Sequence, residues 1–157
     1  MKKTNLQKLT LLAILTALTI TMGNIFRLPT PTGMVTLLDA GIFFTAFYLG
    51  KREGAIVGGL SGFLIDLIAG YPQWMVASLI NHGLQGYFAG FKGKLFWLGQ
   101  ALALVSMVGG YFVFSGFMHG WGAALADVPH NIMQNLVGAA LGNALYRLLV
   151  AAKVVEA

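Results

Sequence analysis

No cysteine occurs in the 157 residues, which excludes a disulfide framework, a thiolate nucleophile and an iron–sulfur site. Acidic residues number five, and charged residues of both signs make up 10% of the chain, against roughly 25% in soluble domains. A surface so poor in charge does not face water on every side. Proline is scarce as well, four in all, and two of them fall close together at Pro29 and Pro31. No Walker-type glycine loop is present, so any ATP-driven activity must draw its energy from another subunit. What fills the chain instead is apolar: 57% of residues are hydrophobic and the mean hydropathy is +0.76.

The apolar stretches have roughly the length a bilayer requires, and about six of them use most of the chain. This predicts an all-α integral membrane bundle of six transmembrane helices, a single domain over residues 1–157 with no appended soluble part. The expected spans are residues 6–25, 36–49, 54–69, 73–90, 95–117 and 128–152. The first could be mistaken for a signal peptide, but no small-x-small site followed by a polar segment comes after it, and it reads as a retained helix. Pro29, Pro31 and Gly33 predict an extended loop over 26–35, and Asp127-Val128-Pro129 predicts an N-cap with proline in the first turn of the last helix. Residues 121–126 are read as a short helix or as loop.

The charges orient this layout. Lys2, Lys3, Lys8, Lys51, Arg52, Lys92, Lys94, Arg147 and Lys153 fall on one side, and of the ten basic residues only Arg27 falls on the other. Basic residues collect on the cytoplasmic face, which places the amino and carboxyl termini in the cytoplasm. The net charge of +5 is thereby assigned to membrane topology and not to nucleic acid. Gly54, Gly58 and Gly62 form a four-residue stripe that continues to Asp66 and Gly70, and Gly138 and Gly142 repeat the spacing. Small residues so spaced let helices approach closely in lipid.

Polar side chains in a bilayer are costly, about 2.5–3.5 kcal/mol for a central Asp on insertion scales, so they should face protein or water. Ser78, Asn81, His82 and Gln85 share one helical face, and Asp127, His130, Asn131, Gln134 and Asn135 share another. In the predicted orientation both faces lie in the outer half of the membrane, with Asp66, Tyr71, Trp74, Trp121 and the proline-rich loop at the same end. Aromatic rings beside amide and imidazole groups suit a small neutral heterocycle carrying hydroxyl groups. Arg27 is the one fixed cation there, which disfavours phosphates and polycarboxylates. The competing readings are hydrogen bonds between helices, with Trp and Tyr as interface anchors, or a proton path through Asp66 and the histidines. The spacing of His82, His119 and His130 fits no familiar metal motif, and no nucleophile–base pair or triad points to an enzyme.

Several motifs together carry a family resemblance: Ala13-xxx-Ala17 in the first helix, Pro29-Thr30-Pro31-Thr32-Gly33, Leu38-Asp39-Ala40, and Leu49-Gly50-Lys51-Arg52-Glu53-Gly54-Ala55. Asp66-Leu67-Ile68-Ala69-Gly70-Tyr71-Pro72 and His82-Gly83-Leu84-Gln85-Gly86 continue it. Over nearly its whole length the chain resembles the substrate-binding membrane subunits (S components) of energy-coupling factor (ECF) vitamin transporters. It looks most like the branch linked to pyridoxine or hydroxymethylpyrimidine, with pyridoxine placed first. The resemblance implies a multi-pass protein of the cell membrane that captures a vitamin from outside. It implies as partners a transmembrane coupling subunit and two ATPase subunits, which use the ATP, with no cofactor on this chain. Ala13 and Ala17 inherit the docking contact, and the loop holding Arg27, Pro29 and Pro31 inherits the role of lid. The expected substrate-binding set is Asp66, Trp74, Asn81, His82, Gln85, His130, Asn131 and Gln134. Where a Lys is expected in the fourth helix of many relatives, this chain has His82. A channel or proton-coupled carrier acting alone is the alternative.

Overall fold

The computed structural model describes residues 4–155, so Lys2 and Lys3 of the charge pattern lie outside the described residues. Among the described residues there are six α-helices and one small hairpin: α1 Asn5–Ile25, β1 Arg27–Pro29, β2 Met34–Thr36, α2 Leu38–Leu49, α3 Lys51–Ala69, α4 Met75–Ala89, α5 Phe96–His119 and α6 Trp121–Ala151. Single 3-10 turns, Pro72–Trp74 and Gly93–Leu95, lead into α4 and α5. The fold is all-α apart from the hairpin.

Local chemistry explains the boundaries. A capping box starts α1: the Thr4 hydroxyl accepts from the Gln7 amide and the Gln7 side chain accepts from the Thr4 amide. Gly50, at φ +102°, turns the chain between α2 and α3, so α3 begins at Lys51, three residues before the expected start. The span expected as loop is instead an antiparallel hairpin pairing Arg27 with Thr36, Leu28 with Val35 and Pro29 with Met34. Prolines are tolerated there because a two-stranded ribbon is all edge. Its turn is held by Thr30, whose amide donates to the Gly33 carbonyl (3.0 Å) and whose hydroxyl accepts from the Gly33 amide (3.1 Å).

The last helix corrects the expectation most clearly. It starts at Trp121, directly after Gly120 at φ +91°, and Pro129 sits inside it. Pro129 denies a partner only to the carbonyl four residues earlier, a loss that apolar-phase helices absorb. Asp127 is then no N-cap; its carboxylate is used elsewhere.

Helix packing follows the glycine stripes. A β-carbon on Gly54 or Gly58 would run into the backbone carbonyls of Gly86 or His82, and one on Gly62 would meet the His82 ring at 2.7 Å, so α3 and α4 touch nearly backbone to backbone. Gly138 and Gly142 likewise admit Asp39 and Phe43 of α2 against α6. Apolar clusters of Leu12, Leu15, Phe44 and Val57, and of Phe43, Ala46, Ala89 and Ala103, fill the end opposite the hairpin. Outward, large apolar side chains stand bare: Trp97 is 79% and Phe117 80% exposed, whereas Asp39 and Gln85 are wholly buried. By length and composition alone, α1 and the Gly93–His119 segment suffice to cross a bilayer. At 1.5 Å per residue α2 reaches only about 18 Å and α4 about 22 Å, short of a 30 Å hydrocarbon layer. A cavity lies at the hairpin end, beside Leu38 at the start of α2 and Trp74 and Ser78 at the start of α4.

Candidate ligand-binding site

The cavity lies under the hairpin; its enclosed part is small, about 40 Å³, and the space between its lining side chains reaches about 550 Å³ only when the part open to solvent is counted. Its roof is Thr30, Thr32, Gly33, Met34 and Thr36; Asp66, Trp74, Ser78 and His82 line one side, and Tyr111, Asp127, Asn131 and Gln134 the other. The hairpin is tied down by three hydrogen bonds. Trp74 Nε1 donates to the Thr32 carbonyl (2.9 Å), the Thr32 hydroxyl donates to Asp127 Oδ2, and the Thr36 amide donates to Gln134 Oε1 (2.6 Å). The roof is therefore fixed to the start of α4 and to two turns of α6.

An aromatic wall stands beneath it. Trp74 packs at 5.6 Å from Tyr111 and is stacked on His119 at 5.6 Å and 14°, while the His82 ring meets Tyr111 edge-on at 5.6 Å. The Tyr111 hydroxyl and Ser78 Oγ share a 2.5 Å hydrogen bond. Two carboxylate oxygens, Asp66 Oδ2 and Asp127 Oδ1, are buried without a protein partner. Buried polar atoms are rarely left so, and these two are acceptors waiting for donors.

Behind the lining a buried network joins three helices. Asp39 Oδ1 accepts from Gln134 Nε2 (3.0 Å) and Oδ2 from Gln85 Nε2 (2.7 Å). Gln85 Oε1 lies 2.8 Å from His82 Nδ1, which is 3.6 Å from Asp39 Oδ1.

The residues expected at the site divide accordingly. Asp66, Trp74, His82, Asn131 and Gln134 line the cavity, and Gln85 supports it from behind. Asn81 is buried against Gly110 of α5, outside the lining, with Nδ2 unpartnered. His130 is turned away and exposed, its Nδ1 3.2 Å from the Ala126 carbonyl. Pro29 and Pro31 are exposed on the hairpin, and Arg27, also exposed, is bonded to Asn24 Oδ1 at 3.2 Å, away from the lining. Ala13 and Ala17 lie on an exposed strip of α1 beside Ile14 and Leu18, remote from the cavity. Asp39 and Tyr111 were missed as site residues: Tyr111 lies within an apolar helix, and Asp39 drew notice only as part of a motif.

The profile of the family described as ECF-type riboflavin transporter, S component, matches residues 3–151. The chain belongs to that family. ECF S components work with a module of a transmembrane subunit and ATPase subunits. Among similar proteins, the thiamine precursor transporter HmpT of Lactococcus lactis subsp. cremoris (strain MG1363) is 49% identical over 152 residues, covering 95% of this chain and 91% of its own length. An uncharacterized protein in gap 3'region of Pyrococcus woesei is 30% identical over 131 residues, 78% of this chain and 88% of that one. S-component membership makes the chain a membrane transport protein, in agreement with its apolar exterior and buried polar interior.

Proposed function

We propose that this S component captures a thiamine precursor, the aminopyrimidine hydroxymethylpyrimidine, from outside the cell and delivers it inward with an ECF module. The observation that carries this reading is the pair of buried, unpartnered acceptors, Asp66 Oδ2 and Asp127 Oδ1, on two residues that line a cavity walled by Trp74 and Tyr111 and lined, among the described residues, by no Lys or Arg. A flat ring stacks on such a wall, and an exocyclic amine and a hydroxymethyl group donate to such acceptors. Pyridoxine, placed first from the sequence, lacks the amine and now comes second. The name of the relative at 49% identity supports the same order. Six spans, with both ends in the cytoplasm and the hairpin outside, remain the topology that the basic residues favour.

Purified protein should be stabilised against heat by micromolar hydroxymethylpyrimidine, more than by pyridoxine, thiamine or riboflavin. No shift with any of the four would overturn the reading. Uptake by liposomes holding this chain alone, without ATPase partners, would favour a self-sufficient carrier instead.

A further inference from the structure

The hydrogen bonds behind the cavity have a direction, and its source is a backbone group. The Thr36 amide can only donate, so the Gln134 atom facing it is Oε1 and the atom facing Asp39 is Nε2. Asp39 Oδ1 is thereby an acceptor. As a carboxylate Asp39 also accepts at Oδ2, which turns Gln85 Nε2 toward it and leaves Gln85 Oε1 against His82. An amide oxygen can only accept, so His82 Nδ1 carries the proton. Among the described residues Nδ1 is the one ring atom of His82 with a hydrogen-bond partner, and the 4%-exposed ring lines the cavity.

We propose that Asp39, which does not itself line the cavity, is a positioning residue that fixes His82 as its Nδ1–H tautomer, so that Nε2 is presented to the cavity as a hydrogen-bond acceptor for an exocyclic N–H of the ligand. The ligand half of this inference rests on the cavity being the substrate site; the tautomer half does not. Asp39→Asn makes a specific reversal. Gln134 stays anchored by the Thr36 amide, so the new side chain turns its oxygen to Gln134 and its NH2 to Gln85. The Gln85 amide then flips and its NH2 faces His82 Nδ1. The ring proton moves to Nε2, and the cavity-facing atom changes from acceptor to donor while burial is preserved.

The test is nitrogen NMR of ligand-free, 15N-histidine-labelled protein in detergent at neutral pH, with the His82 signals assigned by their loss in His82→Gln. The wild type should show a protonated Nδ1 and an unprotonated Nε2, and Asp39→Asn should interchange them. A wild-type ring protonated at Nε2, alone or at both nitrogens, overturns the proposal, and that measurement stands even if the variant does not fold. Binding supplies the second arm. Asp39→Asn should weaken 4-amino-5-hydroxymethyl-2-methylpyrimidine about tenfold, while the analogue without the 4-amino group changes less than about twofold. Equal loss for both compounds would make Asp39 merely structural. Failure of every vitamin to bind would strike the proposed substrate and leave the wild-type tautomer measurement to decide the rest.

Discussion

Trp74 serves the cavity twice, as part of its aromatic wall and as the donor that holds the Thr32 carbonyl. The two roles separate by substitution. Trp74→Phe keeps a ring but removes the Nε1 donor, and the loss of one largely buried hydrogen bond is worth about 1 kcal/mol. The expected result is ligand dissociation about fivefold faster in stopped-flow fluorescence, with association little changed, because the wall remains and only the roof is loosened. Asp66 and Asp127 work in the other sense. Their free oxygens are costly while the cavity is empty, and a donor-bearing ligand removes that cost as it binds. At this scale the sequence was readable where a polar residue interrupted an apolar helix on a repeating face, as with His82, Gln85 and Gln134. Asp39 was harder: its carboxylate acts through Gln85 and Gln134, partners 46 and 95 residues away, and no local periodicity carries that.

Among the elements, the α3–α4 pair decides how firmly the His82 side of the cavity is held. Gly58 lies against the His82 carbonyl and Gly62 against its ring, so the two glycines set the depth at which His82 sits. Gly58→Val should push the helices apart at a cost of about 1–3 kcal/mol, read as a lower melting temperature in detergent. Ligand affinity should fall with it, since the imidazole moves with α4. The glycine spacing announced this contact from sequence alone, because close approach in lipid has few other solutions. The hairpin and the start of α6 were not announced. Pro29 and Pro31 spoke against regular structure, yet a two-stranded ribbon bonded to Trp74, Asp127 and Gln134 does not need the amide protons that proline lacks. Pro129 spoke for a helix start, yet the helix begins eight residues earlier at Trp121, since a single missing bond does not end a helix whose other side chains pack.

For the molecule as a whole, the cavity and the exposed strip of α1 are separate surfaces. α1 packs chiefly on α2 and α3, and Lys8 is paired with Glu53 of α3, which leaves Leu6, Leu9, Ala13, Ala17 and Leu18 outward. The hydroxyls of Thr10 and Thr21 on the same helix fold back onto the Leu6 and Ala17 carbonyls, so the strip offers few free polar groups. Such a low-relief face suits a partner helix in lipid. Ala13→Trp and Ala17→Trp should therefore abolish co-purification with the ECF module and vitamin uptake, while isothermal titration of the isolated subunit shows unchanged binding. Weakened binding would connect the strip to the cavity after all.

The bond from the Thr36 amide to Gln134 has a kinetic consequence. It makes the roof and the floor of the cavity one object: lifting β2 releases the Gln134 amide, and with it the backbone reference that gives the Asp39 network its sense. With β2 lifted, Gln134 would lose that reference, and flat rings of different hydrogen-bond pattern would be told apart less well. If discrimination depends on this bond being made, competing compounds should differ mainly in how long they stay and much less in how fast they arrive.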